Sequence, residues 1–212
     1  MNNRFLIRLS LALLLCVLGN SAIGQGLSID ITDGSRSADP VAVVPFAFEG
    51  AGLPPETDVA EIVRADLARS GKFFTLAKRD IVEFPTRESE VQFATWRLLK
   101  QNYLVVGRVA DAGEGALRVE FELFDVARQS RMLGLAISGQ RTGMRDVAHK
   151  IADLIYEKIL GVRGAFWTRI AYGTSVGLGQ NTQCALMVAD SDGFNPQGVV
   201  RSREPLMSPA WS

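Results

Sequence analysis

The sequence predicts an α/β fold, a mixed β-sheet with packed helices, followed by an incomplete first blade of a β-propeller. Three observations carry this. Segments with helical and strand periodicity alternate between residues 41 and 165. One antiparallel hairpin, "LRVEFELFD" then "MLGLAIS", sits among them. From residue 166 the helical period stops, and short strands separated by Gly-, Asn- and Asp-rich turns take over.

The elements follow in order. "VAVVPF" (41–46) is a continuous apolar run, short enough for a strand buried on both faces. In "PPETDVAEIVRADLARSG" Asp58 and Glu61 have capping-box spacing, Val59, Ile62, Val63 and Leu67 share a face, and Gly71 closes the helix. "FFTLA" (73–77) reads as a short strand. "SEVQFATWRLLKQN" starts on Ser89 and Gln92, another capping pattern, and predicts a helix to Asn102 with Trp96 buried. "YLVVGRVA" (103–110) is a third strand. In the hairpin, Leu117, Val119, Phe121 and Leu123 face one way and Arg118, Glu120 and Glu122 the other, and Leu133, Leu135 and Ile137 continue the apolar face. "MRDVAHKIADLIYEKILG" places Met144, Val147, Ala148, Ile151, Leu154, Ile155 and Ile159 at helical spacing, with Gly161 after them. Beyond the α/β domain (41–165), "AFWTRIAY", "CALMVADSDG" and "GVVRS" are three strands of the partial blade (166–212), with "DSDG" a hairpin turn. A fourth strand is expected to open at Ala210-Trp211, so the chain's end reads as the first blade of something longer.

Composition narrows the function. The chain of 212 residues is 47% hydrophobic and 22% charged, with Lys+Arg and Asp+Glu at 23 each. That balance offers no electrostatic footprint for nucleic acid or an anionic membrane. Residues 1–24 read as a signal peptide: Arg4 and Arg8, an apolar stretch too short for the roughly 20 residues of a spanning helix, and small residues at Ala22 and Gly24 before a cut at Gln25. A lipoprotein signal ending at Cys16 is the alternative, but Leu15 stands where a small residue is required. Cleavage leaves an exported, slightly acidic chain whose only cysteine is Cys184. Without an internal disulfide, its stability rests on a packed core.

Five stretches, "PVAVVPF", "YLVVGRV", "HKIADLIYEKILGVRGAFWTRIAY", "VADSDGFNPQ" and "RSREPLMSPAWS", resemble the TolB family of the Tol–Pal envelope system, in order and with its spacing. The resemblance implies an N-terminal domain of the anticodon-binding type followed by a six-bladed propeller, located in the periplasm. The stretch "GTSVGLGQNTQCALMV" departs from the family pattern, and most of the propeller is absent from the sequence. The resemblance implies interaction without enzymatic chemistry, supporting outer-membrane invagination during division and envelope integrity. The mature N-terminus would bind the C-terminal domain of inner-membrane TolA, and the propeller would bind the outer-membrane lipoprotein Pal.

Mapped onto this sequence, the TolA-binding residues are Leu27, Ser28, Ile29, Asp30, Ile31, Thr32, Asp33 and Gly34, within an extended peptide and hinge spanning 25–40. The residues themselves suit the task. Leu27, Ile29 and Ile31 alternate with polar side chains, so a free strand can join a partner's sheet edge and bury one apolar face, with Ile29 and Ile31 as anchors. The competing reading has this strand complete its own domain's sheet. A single blade lacks ring closure, so loss of Pal binding, loose packing and exposed strand edges are expected beyond Gly164.

Other chemistry finds less support. Gly173-Thr174-Ser175-Val176-Gly177 matches G-x-S-x-G, but no helix pattern and no histidine follow. His149, the one histidine, falls on the polar side of its helix near Asp153 and is expected to be solvated. Asp190 and Asp192 lack the glycine and glutamate positions of a calcium loop and read as turn residues. No cofactor motif is present, and no catalytic, cofactor or metal residues are assigned. The alternative function is a periplasmic small-ligand-binding α/β module, since fold alone assigns no activity.

Overall fold

The computed structural model describes residues 38–177, 179, 182–206, 209 and 211. Three strands come first: β1 (Asp39–Val43), β2 (Ala47–Phe48) and, after helix α1 (Val59–Arg69), β3 (Phe73–Thr75). Helix α2 (Phe93–Leu98), strands β4 (Tyr103–Gly113), β5 (Ala116–Asp125) and β6 (Ser130–Gln140), and helix α3 (Met144–Leu160) complete the α/β domain. The sheet runs β3-β1-β4-β5-β6, with β2 also paired to β4. β1 is parallel to β3 and β4, whereas β4, β5 and β6 pair antiparallel, so the sheet is mixed as expected.

The apolar run of β1 is buried on both faces because pleating sends alternate residues to opposite sides. Val41 and Val43 join a core with α1 and α3, while Ala42 and Val44 join a second core with Trp96 of α2. Leu117, Val119, Phe121 and Leu123 of β5 face the first core. Arg118, Glu120 and Glu122 face the other way, where Glu120 pairs with Arg108 and Arg118 and Glu122 pairs with Arg131. β1 begins at Asp39, ahead of the apolar run, where the Asp39 N–H donates to the Lys72 carbonyl at 2.9 Å.

The second helix is shorter than its periodicity predicts. A 3-10 turn covers Glu88–Glu90, and α2 starts at Phe93 with no side-chain cap from Gln92. The Glu90 carboxylate instead accepts from the Thr86 N–H at 2.8 Å. Asp58 does cap α1, accepting from the Glu61 N–H at 3.1 Å, but Glu61 does not reach back and pairs with Arg64. α3 stops where Gly161 takes a left-handed φ of 72° and its N–H bonds the Glu157 carbonyl.

Three further strands, β7 (Arg169–Val176), β8 (Gln183–Asp190) and β9 (Gln197–Ser202), form an antiparallel meander in that order. This is a partial propeller blade. The expected fourth strand opens at Ala210, outside the described residues, and Trp211 is described without regular structure and exposed.

Candidate functional site

Two features of the described residues bear on function: the junction where the blade meets α3, and the open faces of the blade. The junction starts with Asp153, a half-buried residue of α3. Its carboxylate accepts from the Phe166 N–H at 2.8 Å and the Trp167 N–H at 3.1 Å, tying the entry of the blade to the helix. Gly164 permits this approach, since a Cβ there would lie 2.3 Å from Asp153 Oδ1. Phe166 then packs edge-on against Tyr156, with ring centroids 5.5 Å apart.

One turn N-terminal to Asp153 is His149, and here the structure corrects the sequence reading. His149 is 1% exposed rather than solvated. Its Nδ1 lies 2.6 Å from Asp66 Oδ2 of α1, and its Nε2 lies 3.9 Å from Asp192 Oδ2 in the β8–β9 turn. Helical periodicity finds the face that meets the sheet, but His149 sits on a flank that α1 and the blade turn cover from either side. The available signal was Asp66, a polar residue next to Leu67 on the apolar arc of α1.

Arg145 completes the junction. It pairs with Asp192, approaches Asp190 at 4.0 Å, and stacks over the Phe194 ring at 3.8 Å from its centroid. Burial alone would raise the Asp192 pKa, but the Phe194 N–H and the Arg145 guanidinium outweigh it and hold the carboxyl below its ordinary value.

The blade itself presents apolar side chains outward. Ile170 and Val176 of β7 and Val199 and Val200 of β9 are exposed, with Val176 at 72%. β7 and β9 are both edge strands. A groove of about 460 Å³ runs over the sheet between Thr174, Cys184 and Arg201. Such faces are what one unit of a radial repeat offers to a neighbour.

The other candidate residues resolve as follows. Leu27, Ser28, Ile29, Asp30, Ile31, Thr32, Asp33 and Gly34 lie outside the described residues. The first four residues of the G-x-S-x-G match lie in β7, where Ser175 pairs with Cys184 across the ladder, and Gly177 follows the strand. A nucleophile elbow needs a strand-to-helix turn, and this is the middle of a hairpin. Asp190–Gly193 does form a turn, with the Gly193 N–H donating to the Asp190 carbonyl at 2.8 Å. No helix among the described residues is long and apolar enough to cross a membrane.

An α/β domain leading directly into a propeller-like blade is a specific combination, and two family models match it in that order. The TolB amino-terminal domain matches residues 27–132, half of the chain, and the TolB beta propeller domain matches residues 156–212. The chain belongs to the TolB family. Among its relatives, Tol-Pal system protein TolB of Xanthomonas oryzae pv. oryzae (strain KACC10331 / KXO85) is 63% identical over 203 residues, which is 96% of this chain and 46% of the relative. TolB of Xanthomonas campestris pv. campestris (strain B100) is 62% identical over the same length. The chain therefore spans about half the length of the curated relatives it matches. The crystal structure of TolB from Acinetobacter baumannii aligns with 82% of this chain and 41% of its own, at 29% identity and a TM-score of 0.69. Within the TolB frame, the α3–blade junction joins the amino-terminal domain to the propeller.

Proposed function

We propose that this chain is a non-enzymatic component of the Tol–Pal system that acts by protein–protein interaction in the periplasm. In this reading the peptide Leu27–Gly34 binds the C-terminal domain of TolA, and the α/β domain carries that peptide and the blade on one scaffold. The observation that carries the reading is the 63% identity to proteins named as Tol-Pal system protein TolB across 96% of the chain. The peptide's alternation of Leu27, Ile29 and Ile31 with polar residues supports strand addition at a partner's sheet edge, where backbone pairing supplies affinity and one apolar face supplies specificity.

Pal recognition belongs, in the same reading, to a closed propeller. The exposed Val176, Val199 and Val200 of the described blade are side chains of the kind that a neighbouring blade covers in such a ring.

The test compares the chain from Gln25 with a chain starting at Ala38, by calorimetric titration with the TolA C-terminal domain. Saturable binding by the first and none by the second is the expected result. Equal affinity in both would overturn the assignment.

A further inference from the structure

The junction holds a feature that interaction through the N-terminal peptide does not use. His149 is buried, and its Nε2 has no hydrogen-bond partner among the described residues. A buried polar atom without a partner is rare in folded proteins and asks for an occupant. The other ring nitrogen is held: Nδ1 faces the Asp66 carboxylate at 2.6 Å, which keeps a proton on Nδ1 and turns the Nε2 lone pair outward. The lone pair points toward Asp190 and Asp192, and one ligand atom from each of the three residues lies within 4.8 Å of the others.

We infer that His149 Nε2, Asp190 and Asp192 form a divalent transition-metal site, best suited to Zn²⁺, that fastens α3 to the β8–β9 turn. The donor set decides the ion. Calcium and magnesium take oxygen ligands, whereas imidazole nitrogen with carboxylate oxygen suits zinc. A carboxylate behind the imidazole is the usual support of a zinc-bound histidine, orienting the ring and raising its basicity. Bonds of about 2.0–2.2 Å to a tetrahedral ion require ligand atoms roughly 3.3 Å apart. Rotation of the Asp192 side chain, which is only partly buried, would close the 3.9 Å between Nε2 and Asp192 Oδ2 to that distance.

Arg145 is the competitor. It pairs with Asp192, and two carboxylates facing one guanidinium leave one negative charge uncompensated. Zn²⁺ displaces the guanidinium from Asp192 Oδ2, while the Phe194 ring beneath it keeps Arg145 in place.

The chain's single histidine makes the experiment direct. The protein is produced with ¹⁵N-labelled histidine and without a polyhistidine tag, and the imidazole nitrogens are followed as Zn²⁺ is added. The expected result is a stoichiometric shift of Nε2 away from its free position, with Nδ1 remaining protonated. Calorimetry should show Zn²⁺ affinity falling at least tenfold in His149→Gln and in Asp192→Asn, each checked for native circular dichroism without metal. An Nε2 resonance unmoved by saturating Zn²⁺, or one that stays protonated throughout, would overturn the proposal. Zinc affinity unchanged in His149→Gln would equally overturn it, as binding by surface carboxylates elsewhere. The ¹⁵N readout uses the unaltered chain, so it stands even if a variant fails to fold.

Discussion

His149 Nδ1 meets Asp66 Oδ2 at 2.6 Å in the buried space between α3 and α1. Residues 83 positions apart in the chain are thereby joined through one polar contact inside an otherwise apolar helix interface. Asp66 also accepts from Arg69 at 2.7 Å, so its carboxylate serves two donors. Asp66→Ala leaves the histidine N–H buried without an acceptor, which costs about 1–3 kcal/mol. Urea denaturation should show a lower midpoint with unchanged slope, and Asp66→Asn, whose amide oxygen still accepts, a smaller drop. A midpoint identical to the parent would mean that His149 is hydrated.

Trp96 is the centre of the second core, fully buried among Ala42, Val44, Leu104, Val106 and Phe124. Truncation to Ala removes the largest side chain from a well-packed site, and a loss of about 3–5 kcal/mol is expected. Trp96→Phe should cost less, because the indole Nε1 has no hydrogen-bond partner among the described residues. Equilibrium unfolding of both variants checks the order, and a greater loss in the Phe variant would refute it.

Tyr103 supplies a pH dependence with a definite sign. Burial raises its pKa, and the Asp39 and Asp125 carboxylates raise it further, with Arg128 opposing. The folded state therefore holds the phenolic proton more tightly than the unfolded chain. The stabilisation is complete below the ordinary tyrosine pKa of about 10 and is lost as pH rises through the higher folded value. Thermal unfolding measured from neutral to strongly alkaline pH should decline less steeply above pH 10 in Tyr103→Phe. Parallel curves for parent and variant would exclude a raised Tyr103.

The blade's attachment rests on Asp153, which receives two successive backbone N–H groups at the end of the linker. Asp153→Ala should open the segment around residues 164–168 to limited proteolysis and leave the α/β domain as the resistant product. Gly164→Ala tests the same contact from the other side, since its Cβ would strike Asp153. Cleavage kinetics matching the parent in both variants would show that the sheet is held by other contacts.

Removal of the anchors tests the N-terminal peptide within the whole chain. Ile29→Asp with Ile31→Asp places two charges where an added strand would bury its apolar face, and TolA titration should weaken at least tenfold. Retained affinity would mean that recognition lies elsewhere.

Much of this was legible in the sequence because it depends on local pattern. The β5–β6 hairpin, α1 and α3 follow from periods of 2 and 3.6 combined with desolvation of one face, and β1 from a short continuous apolar run. The burial of Trp96 follows in the same way. Order along the chain, with helical texture giving way to three strands after residue 165, was enough to expect a blade, and the matching stretches were enough to expect the TolB family.

The remainder needed three dimensions. The helix expected to reach Asn102 is only Phe93–Leu98, because Val91 is extended after the 3-10 turn at Glu88–Glu90 and Lys100 takes a left-handed φ of 56°. His149 looked solvated because periodicity marks the face a helix turns to its sheet and is silent about neighbours on its flanks. Asp66 comes from another helix and Asp192 from another sheet, so their meeting at one imidazole is a product of packing between segments far apart in the chain. Local propensity shaped each element, and the burial of polar groups between elements was decided only when they came together.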